Sequence, residues 1–389
     1  AARDRMRDDH VAEYYALLAT AGAGMIFFVG SANLMTLFLA LEWFSICLYV
    51  LCAIDSDNPG GLEAGLKYLV TGGFGSAILL FGSALVYGAT GKLGFADIAA
   101  SAHSHDALLV VGLAMILVGL GFKASAAPFH MWTPDVYEGA PTSITGFMSS
   151  ATKVAALLLT LRLLVTAFPQ EAHLWTVAVA VLACASLVIG NLGALAQRNV
   201  KRLLAYSSVS HAGFLLIAVA ANNSLGARAL LFYLVPYSAM SLGSFAIVAA
   251  RERELGQPVT IDNLAGFGWE RPLLGLSFWL FLIGFAGFPL TGGFWGKIYV
   301  FSAAVDRGWS WLVVVGVVAT MVSLVYYLAL VRSLYMRSAL ELQVAGGSPP
   351  EEQLLGTAVF ACVAVTLGTF VAVGPVADVA RHATAFLPF

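Results

Sequence analysis

The sequence predicts an all-α integral membrane protein of about 11 transmembrane helices, forming two inverted five-helix repeats, each with a broken helix, plus a C-terminal helix. Three observations predict it. Hydrophobic residues make up 60% of the 389-residue chain and charged residues 11%, with a mean hydropathy of +0.86; soluble proteins carry about a quarter charged residues. The apolar residues fall into runs of the roughly 20 residues that a helix needs to cross about 30 Å of hydrocarbon. Two of those runs are too long for one crossing and are interrupted by proline and glycine.

In chain order the runs lie at 14–32, 33–54, 62–88, 107–137, 142–167, 172–195, 201–221, 226–250, 272–303, 309–331 and 354–375, each bounded by charge or by Pro/Gly clusters. The overlong ones are 107–137, interrupted at Pro128, and 272–303, interrupted by GFPLTGG at 287–293. Unwound backbone is tolerated at membrane depth only beside protein or a wet cavity, and broken helices at corresponding places in two halves mark inverted-repeat transporters. Here each is fourth in a run of five, within 14–167 and within 172–331. Five spans per unit make the second unit enter from the opposite face. Residue similarity between the halves is thin, with Gly121, Phe122 and Trp132 matching Gly284, Phe285 and Trp295 at a constant offset, so the span count carries the reading. Residues 354–375 form the C-terminal helix, and 1–13 a charged segment at the start.

An odd number of crossings puts the two ends on opposite sides. The side holding the N-terminus carries Arg3, Arg5, Arg7, Arg198, Lys201, Arg202, Arg251, Arg253, Arg271, Arg332 and Arg337, whereas the other carries Lys92, Arg228, Arg307 and Arg381. The positive-inside rule makes the richer side, and so the N-terminus, cytoplasmic, with the C-terminus periplasmic or extracellular.

Several function classes drop out. A net charge of -2 without a basic run excludes a nucleic-acid binder. Cys47, Cys52, Cys184 and Cys362 sit in apolar runs without metal-site spacing, so they read as packing residues and no metal is expected. Haem would need histidines paired across helices at matching depth, but His103, His105, His130, His173 and His382 lie near span ends or in loops. No GxGxxG or P-loop pattern opens a helix, and no motif for nicotinamide, flavin or iron-sulfur binding is present. The chain begins Ala1-Ala2-Arg3 without methionine or a signal peptide, so upstream sequence is expected to be missing.

The remaining basic residues, Lys67, Lys123, Lys153, Arg162 and Lys297, fall within or at the edge of spans, as do Glu42 and His211. A charge near the bilayer centre costs a few kcal/mol even on the lenient insertion scale, so such groups face a partner or water and usually serve function. Glu42 lies about 13 Å into its span by helix rise, and Lys153 and His211 are also near the middle. Lys123 and Lys297 flank the helix breaks. Lys67 and Arg162 are placed to snorkel, and His211 also reads as a hydrogen-bonded core histidine. Three lysines cannot all pair with one glutamate. Burial disfavours the charged form of a lysine and a nearby carboxylate restores it, so a lysine between those effects gains or releases a proton when its neighbour's charge changes. That is the chemistry of a proton relay; static salt bridges are its rival.

The run FKASAAPFHMWTPDVYEGAPT at 122–142, followed by Lys153, resembles the N subunit of proton-pumping NADH:quinone oxidoreductase, respiratory complex I. LEWFSICLYVL (41–51), GLKYLVTGGFGSAILLFG (65–82), KRLLAYSSVSHAGF (201–214) and GFPLTGGFWGKIYVF (287–301) support it. The L and M subunits and the Mrp cation/proton antiporters share this fold, and the alternative reading is a subunit of an Mrp-type antiporter or of a related membrane-bound hydrogenase. The resemblance implies a non-redox, proton-translocating subunit in the bacterial inner membrane, beside K-like and M-like neighbours, with NADH, flavin, iron-sulfur clusters and quinone bound by other subunits. It also implies that Glu42 pairs with Lys123 of the first broken helix, that Lys153 is the connecting lysine, and that Lys297 belongs to the second broken helix. His211 falls where polar residues bridge two half-channels. Lys67, His130, Asp135 and Glu138 are candidates for proton intake or for loop packing. Family members carry fourteen spans, of which this chain matches the fourth onward, so a truncated sequence is expected.

Overall fold

A computed structural model describes residues 10–102, 106–337 and 353–389. Arg3, Arg5 and Arg7, most of the 1–13 segment, His103 and His105 lie outside the described residues. Every expected span is helical. Among the described residues 9 helices are long and apolar enough to cross a membrane, and two shorter apolar helices, Ala107–Lys123 and Pro272–Ala286, are the first halves of the two overlong runs.

The helices are α1 (Val11–Gly30), α2 (Leu34–Cys52), α3 (Pro59–Thr90), α4 (Phe95–Ser101), α5 (Ala107–Lys123) and α6 (Trp132–Gly139). A crossing then runs through α7 (Thr142–Phe147), a π-helical turn at Met148–Thr152 and α8 (Lys153–Ala167). There follow α9 (Ala172–Leu195), α10 (Val200–Ala220), α11 (Ser224–Leu255), the short α12 (Phe267–Glu270), α13 (Pro272–Ala286), α14 (Gly292–Asp306), α15 (Ser310–Met336), α16 (Gln353–Val371) and α17 (Val373–Thr384). Their ends follow local chemistry. Asn33, Asn58, Asp106, Asn199 and Asn223 each accept a hydrogen bond from a backbone N–H of the first turn, which satisfies donors that would otherwise be stranded. The span at 354–375 is shorter than expected: it stops at Val371, and α17, a separate amphipathic helix, follows.

One contact occurs twice. The N-cap Asn33 pairs with Gly94 as an isolated antiparallel bridge, flanked by Leu34 N–H to Leu93 O at 3.0 Å and Phe95 N–H to Ala32 O at 2.9 Å. The N-cap Asn199 pairs with Thr260 in the same way, flanked by Val200 N–H to Val259 O and Ile261 N–H to Arg198 O, both at 2.9 Å. All six residues of the second set stand at one constant offset from those of the first. The first bridge lies after an odd number of crossings and the second after an even number, so they sit on opposite faces.

Both helix breaks carry a non-glycine residue in the left-handed region, Ser125 (φ 59°) in the first and Leu290 (φ 81°) in the second. Such strain persists only where the surroundings over-determine it. In the second break Gly293 stands so close to the end of α13 that an added Cβ would lie 2.1 Å from the Gly284 carbonyl oxygen. α10 is the axis of the molecule: 94% of its most apolar 18 residues are buried, against 28% for α1 and 22% for α16, which form the periphery. α10 packs on α9, α6, α11 and α14, and α11 packs in turn on α7, α14 and α16.

Gly293→Val is expected to prevent closure of the second break, costing about 3 kcal/mol or more, so that the chain is lost from native gels of solubilised membranes. Gly88→Ala on α3, where nothing lies within 4 Å, leaves its abundance unchanged.

Candidate functional site

α5 stops at Lys123, whose side chain is buried at 3% exposure. Its Nζ donates to Ser45 Oγ on α2 at 2.8 Å and to Tyr68 OH on α3 at 3.1 Å, and lies 4.5 Å from the centre of the Phe44 ring. Trp132, which opens α6, stacks on Tyr68 at 4.6 Å and donates its indole N–H to Phe122 O at 3.0 Å, a carbonyl that also accepts from Ser125 N–H in the break. The direct Glu42–Lys123 ion pair implied by the resemblance is not formed. Ser45, three residues beyond Glu42 on α2, and Tyr68 hold the ammonium instead, while Glu42 Oε1 is buried without a hydrogen-bond partner. Hydroxyls solvate the ammonium without bringing a second desolvated charge into the core.

Lys153 follows the π-helical turn and is fully buried. Its Nζ donates to Ser208 Oγ on α10 at 2.8 Å and to Ser208 O. One turn further along α10, His211 is bonded at both ring nitrogens, Nδ1 to Tyr233 OH at 2.8 Å and Nε2 to Tyr327 OH at 3.1 Å. Tyr327 OH also bonds Ser207 Oγ at 2.5 Å. Ser207, Ser208 and His211 therefore join Lys153 to tyrosines of α11 and α15 through one helix. Phe214, the next turn of α10, lies 6.0 Å from His211 and carries Lys297 Nζ 4.4 Å above its ring. Lys297 is buried at 5% exposure and donates to Ala286 O at 3.1 Å and Thr320 Oγ1 at 3.3 Å. Gly287 gives it room: φ is +83° there, and a Cβ would sit 2.8 Å from Lys297 Cδ. None of Lys123, Lys153 and Lys297 forms an ion pair among the described residues.

The other candidates divide differently. Lys67 pairs with Glu63 at 2.6 Å and Asp135 at 3.0 Å instead of snorkelling freely. Arg202 on α10 binds Asp135 at 2.6 Å and Glu138 at 2.8 Å, and Asn199 adds a bond to Glu138 at 3.1 Å. This cluster ties α3 and α6 to α10. His130 lies in the first break, half-buried, with its ring 6.1 Å from Tyr206 and Nδ1 without a hydrogen-bond partner. Arg162 reaches back to Val29 O at 2.8 Å, near the last turn of α1. The hydroxyls of Ser45, Tyr68, Tyr233, Thr320 and Tyr327 were not marked by the sequence, where each is one polar residue on an apolar helix. Ser207, Ser208 and His211 did carry a signal, since their spacing puts them on one helical face.

The sequence profile for NADH:quinone oxidoreductase/Mrp antiporter transmembrane proteins matches residues 31–323. The chain belongs to this family. A relative from Salinibacter ruber, NADH-quinone oxidoreductase subunit N, is 44% identical over 379 residues, which cover 94% of this chain and 75% of the relative. The protein of the same name from Parvibaculum lavamentivorans is 43% identical, covering 85% and 68%. Among solved structures, a chain of respiratory complex I from Thermus thermophilus with bound aureothin superposes with a TM-score of 0.82 at 37% identity, covering 94% of this chain and 79% of that one. The Mrp complex of a Dietzia species reaches 0.85 at 24% identity, covering 95% and 77%, which is likeness of fold alone. As a member of the family, this chain is a multi-pass membrane protein.

Arg202→Ala is expected to loosen the tie between α10 and α6 by about 1 kcal/mol, the pairs being partly exposed and screened. A lower thermal midpoint of the solubilised protein would register it. Arg202→Lys recovers part of it: a single nitrogen, Nη1, makes both contacts, and a lysine keeps the charge but must bring its one ammonium to the same point on a differently shaped stem.

Proposed function

We propose that this chain is the proton-translocating membrane subunit of an NADH:quinone oxidoreductase, relaying protons through Glu42, Lys123, Lys153, His211 and Lys297 while redox chemistry occurs in other subunits. One observation carries the relay: Lys123, Lys153 and Lys297 are buried inside spans and held by hydroxyls and carbonyls, with no carboxylate in ion-pair contact. A static scaffold would pair its charges, since an uncompensated buried charge is strongly destabilising. A lysine that cycles between amine and ammonium needs acceptors and donors that serve both forms, and hydroxyls do. The subunit names of the relatives and the complex I superposition support placing it in that enzyme; K-like and M-like subunits would be its neighbours there. NADH, flavin, iron-sulfur clusters and quinone would belong to those other parts.

In this reading residues 14–167 and 172–331 are inverted units, a division supported by the recurring N-cap bridges on opposite faces, and α16 (Gln353–Val371) is an added helix. Lys153, Ser208, Ser207, Tyr327 and His211 then form the junction between the two half-channels. Lys67, Asp135 and Glu138 act with Arg202 as a latch between the units rather than as proton carriers. The N-terminal side faces the cytoplasm, and Lys297, beyond the second break, is the last base before release on the other side. A cysteine introduced near Arg253 is accordingly labelled only from the cytoplasm, and one near Arg381 only from outside; the opposite pattern reverses the half-channels.

Lys297 separates a relay from a scaffold. Arginine keeps the positive charge but does not release a proton in a protein. Proton uptake into vesicles per NADH oxidised is expected to fall as far with Lys297→Arg as with Lys297→Ala, at equal assembly on native gels. Normal pumping by the arginine variant beside a defective alanine variant would make Lys297 a structural charge. Loss is partial in either case, since the complex contains other pumping subunits.

A further inference from the structure

A vestibule of about 540 Å³ opens between the α2–α3 loop, the α6–α7 corner and the end of α11, with Asp55, Asp57, Glu138, Thr142, Lys201 and Glu252 among its lining residues. Glu252, 7% exposed, accepts a hydrogen bond from Thr142 Oγ1 and lies 3.8 Å from Lys201 Nζ, which itself donates to Ala140 O at 2.8 Å. Inward from Glu252 along α11 come Ser244, Ser241 and Tyr237. Ser244 lies about 12 Å deeper by helix rise, and its Oγ is buried without a hydrogen-bond partner. Tyr137 OH on α6 is likewise buried and unpartnered.

Ser244 Oγ belongs to the wall of a second, internal cavity of about 10 Å³, shared with Ser207, Ser208, Ser241 and Tyr237. That is close to the room one water needs, and the wall offers more than the two to four polar partners that hold a water in place. The same cavity touches the relay, because Ser208 Oγ is the acceptor of the Lys153 ammonium at 2.8 Å. Ser241 Oγ also donates to Ser149 Oγ at 2.7 Å, on the π-helical turn that leads into Lys153. Two orphaned hydroxyls along one seam, one of them in a cavity of water size, call for ordered water.

We propose that Glu252 and the hydroxyl-lined seam beneath it between α7, α10 and α11 form a hydrated proton intake that delivers protons from the vestibule to Lys153. A proton binds the Glu252 carboxylate from vestibule water. Waters bridge the stretch walled by Val248 and Phe245 to Ser244 and the inner cavity. Each hydroxyl or water accepts one proton and passes another on, and the last goes to the neutral Lys153 amine through Ser208. The intake runs along the α7–α11 seam from a vestibule that Glu138 of the Lys67–Asp135–Arg202 cluster also lines, and Glu252, like the carboxylates of that cluster, has an ion-pair partner, Lys201.

This inference rests on Lys153 carrying protons, so the test measures both. Proton uptake per NADH oxidised is compared for Lys153→Ala, Glu252→Gln and Glu252→Asp in the intact membrane-embedded complex, at equal assembly. Ser244→Cys is separately exposed to silver ion from the Glu252 face. The expected result is that Glu252→Gln loses the same share of pumping as Lys153→Ala, that Glu252→Asp restores it, and that silver inhibits only the Ser244→Cys variant. A pumping defect in Lys153→Ala beside parental pumping in Glu252→Gln would overturn the intake while leaving the relay standing. So would failure of silver to act on Ser244→Cys. Parental pumping by Lys153→Ala would overturn the relay and the intake together.

Discussion

A backbone or side-chain polar group left unpaired in hydrocarbon costs several kcal/mol, and the molecule is organised around the two places where a helix stops inside the membrane. At each stop the freed groups must be met from within the protein. Trp132 reaches back to the Phe122 carbonyl in the first break, and Lys297 to the Ala286 carbonyl in the second. The residue that repairs the backbone in the second break is therefore also the buried charge. The structural need for a donor and the chemical need for a titratable amine coincide in one side chain.

Around those breaks the polar groups are arranged by helix face rather than by element. α10 places Ser207, Ser208, His211 and Phe214 on successive turns toward Lys153 and Lys297, and its near-complete burial allows it to touch both halves of the chain. Hydroxyls dominate the contacts. A hydroxyl both donates and accepts, so a tyrosine or serine can stay bonded whether its lysine or histidine neighbour holds the proton or not. The carboxylates beside Arg202 and Lys201 are held in ion pairs, half-exposed at Arg202 and nearly buried at Lys201. Glu42 stays half-buried one turn from Ser45, without an ion-pair contact to Lys123.

Much of this was legible in the amino-acid sequence because a bilayer imposes a one-dimensional rule. Length and apolarity alone define a crossing, so the spans, the two breaks at Pro128 and GFPLTGG, and the buried lysines follow without knowing any contact. The motif around residues 122–142 carried the family as well. α17 escaped notice because an amphipathic helix of twelve residues after a span has no length signal of its own.

What the sequence by itself determined is which residues lie in the membrane, since the cost of burying charge depends on depth along the chain. What only the tertiary structure decided is who meets whom. The family resemblance pairs Lys123 with Glu42, yet the packing of α2, α3 and α5 gives the ammonium to Ser45 and Tyr68. Asp135 and Glu138 look like acids at a channel mouth until α10 brings Arg202 against both. The Glu252 vestibule joins loops and helix ends that are distant in sequence. Depth is a property of one helix, whereas pairing depends on how several helices are rotated and packed against one another, and a single sequence carries no local signal for that.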